Sequence, residues 1–80
     1  MKTIHLQYFA ILKEKRGEAR ETLQTEANTA AELYQDLKSR YHFPLSVDRL
    51  RVAINEEFSD MDTTLQENDE IVYIPPVAGG

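Results

Sequence analysis

The strongest constraint on the fold is a short apolar run, residues 71–74, that is followed directly by Pro75 and Pro76. Successive residues of a strand point to opposite faces of a sheet, and both faces of this run are apolar. Such two-sided burial is expected of a strand in the middle of a sheet. Proline cannot donate a ladder hydrogen bond, so Pro75 should end the strand. The sequence therefore predicts a central last strand from which the remaining residues leave as an extended tail.

Two stretches predict helices, one short and one long. Residues 10–16 are strong helix formers and stop at Gly17, a residue type favoured just beyond a helix C-terminus. Thr29 and Glu32 have the spacing of a capping box at the start of the second helix, and a following proline should end that helix near His42. The apolar residues of the second helix recur on one face, at Ala30, Leu33, Tyr34, Leu37 and Tyr41.

Alternation of apolar and polar residues predicts strands at residues 3–9, 18–25 and 50–54, with a further short strand at Phe58. The resulting order indicates an α+β fold. We expect a mixed sheet of about five strands covered by one main helix, plus a short helix after strand 1. One long helix can cover only one face of the sheet, so one apolar face of the last strand should remain open.

This open face predicts a docking surface beside the tail. We expect Phe9, Ile71 and Tyr73 to form an exposed apolar patch there, because such patches commonly mark partner sites. In the alternative arrangement, Phe9 packs on the short helix and the patch is small.

The composition argues against several classes of function. The 14 acidic and 9 basic side chains give a net charge of −5, opposite in sign to that of most nucleic-acid-binding domains. Cysteine is absent, and His5 and His42 are far apart in the sequence, so we expect no metal site. No secretory signal pattern or membrane-spanning apolar run is present, so we expect a cytoplasmic protein without membrane contact. The acidic residues near the end, including Asp69, are interpreted as a solvated face.

The sequence ends in Val77, Ala78, Gly79 and Gly80. Glycine lacks a Cβ, so such an end can enter a narrow site, and a terminal carboxylate is ionised at neutral pH. If a second enzyme holds it in line with ATP, the carboxylate can attack the α-phosphate and become an acyl adenylate. Six residues at about 3.3 Å each would reach roughly 20 Å from the sheet. We predict a folded domain over residues 1–74, a functional tail over residues 75–80, and no active site within the domain.

The ending from Asp69 to Gly80 resembles that of the MoaD family, the small sulfur-carrier subunits of molybdopterin synthase. An acidic turn, an apolar strand, Pro-Pro and Gly-Gly occur there in one register. The resemblance extends to two further segments, Tyr8-Phe9-Ala10 with Leu12, Glu14 and Gly17, and Val52-Ala53-Ile54-Asn55. It covers essentially the whole chain and implies a β-grasp, ubiquitin-like fold for residues 1–74.

The resemblance also implies a chemistry for the tail. An E1-like enzyme of the MoeB type would use ATP to adenylate Gly80, which would then become a thiocarboxylate. Gly79 would pass through the narrow part of the partner's site, and Pro75, Pro76, Val77 and Ala78 would form the inserted tail. A MoaE-like large subunit, in a heterotetramer of two small and two large subunits, would supply the catalytic side chains. Sulfur would pass to cyclic pyranopterin monophosphate, with no cofactor bound by this chain.

Three alternatives remain open at the level of sequence. A ThiS-like carrier for thiamine thiazole synthesis has the same fold, although its members are usually shorter and lack a clear helix after the first strand. A ubiquitin-like modifier would become attached to lysines of other proteins. A plain interaction module would function without Gly79 and Gly80.

Overall fold

The structure, a computed structural model, describes residues 1–76. The predictions for Val77, Ala78, Gly79 and Gly80 lie outside the described residues. The elements in chain order are β1 (Lys2–Tyr8), α1 (Ala10–Arg16), β2 (Arg20–Thr25), α2 (Ala30–Tyr41), a 3₁₀ turn (Val47–Arg49), β3 (Arg51–Ile54), β4 (Glu57–Ser59) and β5 (Asp69–Ile74). The predicted order of strands and helices is confirmed, and the 3₁₀ turn is an addition that no sequence pattern indicated.

The strand order β2-β1-β5-β3-β4 places the last strand in the centre of the sheet. β5 runs parallel to β1 and antiparallel to β3, so the sheet is mixed. β5 is therefore paired on both edges, with β1 as far as Tyr73 and with β3 as far as Ile74, the residue before the prolines. With α2 as the main helix and α1 after the first strand, the predicted α+β, β-grasp architecture is confirmed.

The hydrophobic core lies between α2 and one face of the sheet. Ile71 and Tyr73 of β5 are fully buried there, each with a relative exposure of 0%. The rings of Tyr34 on α2 and Tyr73 are 5.2 Å apart between centroids. Tyr73 Oη donates a 2.7 Å hydrogen bond to the carbonyl of Ala30, and burial raises the pKa of Tyr73, which keeps this hydroxyl a donor. The bond satisfies a polar group whose burial would otherwise be costly, and it joins the central strand to the first turn of α2.

The helix ends follow the chemistry of their capping residues. α1 is terminated by Gly17, whose φ of 87° is in the left-handed region that glycine adopts without a Cβ clash. At the start of α2, the N–H of Glu32 donates to Thr29 Oγ1 at 3.2 Å, which confirms the predicted cap. The carboxylate of Glu32 accepts from the N–H of Asn28, one residue before the cap, at 3.3 Å. α2 ends at the residue before His42, close to the predicted position.

A two-residue turn, Asn55 and Glu56, joins β3 to β4, with φ values of 53° and 72°. The Asn55 side chain donates to Asp69 Oδ1 at 2.9 Å and accepts from the N–H of Glu70 at 3.0 Å. Asp69 also accepts from the N–H of Gln66 at 2.7 Å, and it is only 7% exposed. The interpretation of Asp69 as part of a solvated acidic face is therefore wrong. Its carboxylate lies on the core side of β5, where hydrogen bonds replace water.

No helix within residues 1–76 is both long and apolar enough to cross a membrane. In the same part of the chain, no three acidic or histidine side chains are close enough together to hold a metal ion. His5 lies in β1 with its Nδ1 3.0 Å from Thr22 Oγ1, whereas His42 lies beyond the end of α2.

The cap of α2 gives a first test of this structure. Thr29→Ala should lower the free energy of unfolding by about 1 kcal/mol, because it removes the acceptor for a helix N–H group. Ser39→Ala, at an exposed position of the same helix, should leave stability unchanged or slightly raised because alanine is the better helix former. Urea denaturation measures both variants, and equal losses in the two would contradict the assigned cap.

Candidate partner-binding face and tail root

The tail begins at the centre of the sheet. β5 ends at Ile74, and it is followed by Pro75, which is half-buried, and Pro76, which is exposed. β1 runs parallel to β5 on one side, and on the other side Arg51 of β3 pairs with Ile74. Because β3 holds Ile74, β1 holds the preceding Tyr73, and each proline restricts its own φ, the chain leaves the sheet in a fixed direction.

Two of the three predicted docking residues lie in the core. Ile71 and Tyr73 are fully buried, so their assignment to an exposed patch is wrong, whereas Phe9 is 44% exposed. The cause is the register of the sheet, in which Ile71 lies beside Leu6 and Tyr73 beside Tyr8. Leu6 and Tyr8 form the apolar face of β1, and α2 covers that face. The alternation in residues 3–9 contained the signal that identifies the buried face of the last strand.

An apolar strip occupies the opposite, open face of the sheet and consists of Phe9, Ala53, Phe58, Val72 and Ile74. Phe58 pairs across the strands with Ala53, and Ala53 pairs with Val72. Phe9 has extended backbone angles and follows Tyr8, so it falls on the open face level with Ile74. Phe58, which is 73% exposed, is an addition to the docking residues predicted from the sequence. Alternation across the β3–β4 hairpin is the signal that would have found it.

A hydrogen-bonded cluster holds the segment that carries Phe9. The carboxylate of Glu21 on β2 accepts from Tyr8 Oη at 2.7 Å and from Tyr41 Oη at 2.7 Å. It also accepts from Arg16 Nε at 3.3 Å and Nη2 at 3.1 Å. The Arg16 guanidinium lies over the Tyr41 ring, 4.5 Å from its centroid. One carboxylate therefore joins β1, the end of α1, β2 and the end of α2.

The cluster changes the titration of its members. Burial by itself raises the pKa of Glu21, but the hydrogen bonds from Arg16, Tyr41 and Tyr8 together outweigh it, so the pKa is lowered. Burial and the bond to Glu21 raise the pKa of Tyr8. At neutral pH, Glu21 is thus a charged acceptor and Tyr8 a neutral donor. This combination keeps the cluster fully bonded.

Comparisons with known proteins show the family of the chain. The sequence profile of the ThiS family matches residues 6–80. The chain belongs to the ThiS/MoaD family. One relative, the molybdopterin synthase sulfur carrier subunit of Drosophila melanogaster, is 35% identical over 96% of this chain and 90% of its own length. The resemblance to the MoaD family that was predicted from the sequence is therefore confirmed.

Solved structures support the fold of this ThiS/MoaD chain. A complex of subunits 1 and 2 of the molybdopterin-converting factor from Helicobacter pylori contains a chain with 25% identity and a TM-score of 0.67, matched over 98% of this chain and 99% of that one. Small archaeal modifier protein 1 of Haloferax volcanii has a TM-score of 0.79 at 18% identity, over 96% of this chain and 100% of that one. At such low identity, the second likeness concerns the β-grasp fold.

The lowered pKa of Glu21 predicts a pH-dependent contribution to stability. The contribution is fully present above the unfolded pKa of about 4.3 and is lost as the pH falls through the lower folded value. Glu21→Gln should therefore destabilise the domain at pH 7, and its difference from the wild type should shrink at pH values below about 4. Urea denaturation across this range measures the effect, with Glu18→Gln, an exposed position nearby, as the control. A difference that stays constant with pH would show that the charge on Glu21 has no such role.

Proposed function

We propose that this chain is the sulfur-carrier subunit of a molybdopterin synthase. The observation that carries the proposal is the similarity to the Drosophila relative of that name, which aligns over nearly the whole chain. The family profile runs from residue 6 through Gly80 and so includes the Gly-Gly end that all carriers of this family would use. The helix α1 also supports this choice, because the resemblance associates a helix after the first strand with MoaD-like carriers.

In the proposed chemistry, the reacting group is the terminal carboxylate of Gly80. An E1-like enzyme of the MoeB type joins this carboxylate to the α-phosphate of ATP and releases pyrophosphate. A sulfur nucleophile then displaces AMP and leaves a thiocarboxylate. The thiocarboxylate is a better nucleophile than the carboxylate, so it can transfer its sulfur to cyclic pyranopterin monophosphate. The activating enzyme binds the ATP, and this chain needs no cofactor of its own.

The tail then acts inside a second protein. Pro75, Pro76, Val77 and Ala78 enter the MoaE-like large subunit, and Gly79 passes through its narrowest part. The large subunit supplies the catalytic side chains, and the assembly contains two small and two large subunits. The complex of subunits 1 and 2 in Helicobacter pylori supports a partner of this kind.

The apolar strip is proposed as the surface that docks on the large subunit, in place of the buried pair Ile71 and Tyr73. Phe9 and Phe58 are the most exposed side chains of the strip, and Ile74 lies directly before the tail. Exposed aromatic groups commonly act as anchors at protein interfaces. A partner that covers this strip would hold the tail root at the entrance of its pocket.

Two alternatives from the same fold make different predictions about partners. A ThiS-like carrier would bind a thiazole synthase, and a ubiquitin-like modifier would form covalent adducts with lysines of many proteins. The likeness to small archaeal modifier protein 1 concerns the fold and so does not favour the modifier. Purification of the chain with its bound partners distinguishes all three.

The intact mass of the chain tests the proposed chemistry. Incubation with the E1-like enzyme, ATP and a sulfur source should add about 16 Da, because sulfur replaces one oxygen of a carboxylate that is ionised at neutral pH. A variant that lacks Gly79 and Gly80 should show no such gain and yet unfold like the wild type. An unchanged mass of the wild-type chain with active enzyme would refute the proposal.

The docking surface is tested by truncating its aromatic side chains. Phe9→Ala and Phe58→Ala should each weaken binding of the large subunit about fivefold or more, because loss of an interface anchor often costs over 1 kcal/mol. Met61→Ala serves as the control, since this half-buried side chain packs against the core rather than belonging to the strip. Calorimetric titration gives the affinities. Equal affinities for all three variants and the wild type would exclude the strip as the docking surface.

A further inference from the structure

Two arginines lie at the root of the tail. Arg49 of the 3₁₀ turn and Arg51 of β3 line a shallow groove together with Ile74, Pro75 and Pro76, and both arginines are exposed. The groove has a volume of about 590 Å³. Two positive charges are thus concentrated at the point where the chain leaves the sheet, on a protein whose net charge is −5.

Neither arginine is held in an ion pair by the part of the chain that the structure describes. The ion pair found there joins Arg16 to Glu21, and neither Arg49 nor Arg51 forms one. Asp48 also lines the groove, where its charge attracts that of Arg49 and its Oδ1 accepts a hydrogen bond from Ser46 Oγ at 2.6 Å. Asp60 shares a second shallow groove with Arg51, without an ion pair between the two. Within residues 1–76, both guanidinium groups keep their donors available for another molecule.

The position of Arg51 links the groove to the apolar strip. Arg51 and Ile74 are cross-strand partners and alternate onto the same open face of the sheet. A protein that covers Ile74 therefore also removes water from the Arg51 guanidinium. Removing a charge from water is costly unless an opposite charge and hydrogen-bond acceptors replace the water. A partner that fits this surface must supply an anion beside Ile74.

The length of the tail indicates what kind of anion this is. Four residues separate Pro76 from the chain end, and at about 3.3 Å each they span roughly 13 Å when extended. A nucleotide or pterin that reacts with the terminus of an extended tail is thus too far away to contact the arginines. The groups that meet them belong to the rim of the pocket that the tail enters. In a protein rim, the acceptors that match the guanidinium fork are carboxylates.

We propose, building on the function proposed above, that Arg49 and Arg51 bind carboxylate side chains at the rim of the large subunit's tail pocket. The two arginines orient the small subunit so that the tail root faces the pocket entrance. The same charges also favour the encounter between two proteins, because complementary potentials raise association rates.

The test measures binding of the purified large subunit from the same organism to the full-length chain by calorimetry. The variant Arg49→Gln with Arg51→Gln should weaken the Kd about threefold to tenfold near 0.1 M salt, the scale of two partly exposed ion pairs. Arg49→Glu with Arg51→Glu should weaken it further through repulsion. Arg51→Lys should weaken it less than either double variant, because lysine keeps the charge but not the fork of donors. The Kd of the wild type should also rise more steeply with salt than that of the glutamine variant.

Three comparisons make the result decisive. Arg40→Glu changes the net charge by the same amount as the double glutamine variant, at an exposed position of α2 on the other side of the sheet, and should leave the Kd unchanged. Thermal unfolding shows whether each variant is folded; if the glutamate variant is not, the glutamine variant gives the same comparison. The gain in mass on incubation with the activating enzyme should remain as in the wild type, so failure of the proposed function would be visible separately.

Three results would contradict the proposed role of Arg49 and Arg51. An unchanged Kd in the glutamine and glutamate variants would overturn the inference, as would an equal effect of Arg40→Glu. If the variants bound the large subunit normally but no longer gained mass with the activating enzyme, the arginines would serve that enzyme instead, and the assignment to the large subunit would be wrong.

Discussion

The burial of Ile71 and Tyr73 between the sheet and α2 is the interaction on which the rest of the structure depends. Burying side chains of this size contributes about 1.5–3 kcal/mol each, a large share of the stability of so small a domain. The Tyr73 hydroxyl is satisfied by Ala30, so the burial of this tyrosine leaves no unpaired polar group. A strand that is held on both edges and on one face gives Pro75 a fixed starting point. Without this anchor, the tail would have no defined origin.

The same anchor determines which surface remains open. The main helix, α2, has 12 residues and covers one face of the sheet. On the other face, the part formed by β1 and β2 is polar, with Thr3, His5 and Gln7 along β1. The apolar residues of that face are concentrated on β5, β3 and β4 and at Phe9. A further helix over this strip would also have covered the root of the tail, so an open strip and an accessible tail are linked by geometry.

Much of this architecture could be predicted because local patterns and global packing agree. The alternation in residues 3–9, the helical stripe from Ala30 to Tyr41 and the stop at Gly17 each depend on residues close in sequence. The buried face of residues 71–74 could not be read in isolation, since both faces are apolar. It depends on the pairing of β5 with β1, which joins opposite ends of the chain.

The candidate site shows the same limit. Phe58 lies in a three-residue edge strand, so its direction can be predicted only if the alternation of β3 is carried across the Asn55–Glu56 turn. Asp69 resembles its acidic neighbours in sequence, and only the contacts with Asn55 and Gln66 distinguish it. The role proposed for the arginines of the groove likewise depends on Ile74. This residue is 23 positions after Arg51 in the sequence but directly beside it in the sheet.

The division between a packed body and a thin tail has a consequence for the proposed function. A carrier has to leave one protein and enter another, so the contacts made by its tail cannot by themselves be very strong. Once the body has docked, the tail enters the pocket within a single complex, where the effective concentration of the tail is high. Rigidity near the root then matters, because a loose body would spread the tail over a larger volume. The cluster around Glu21, which joins four elements beside Phe9, provides rigidity at the place where docking and insertion meet.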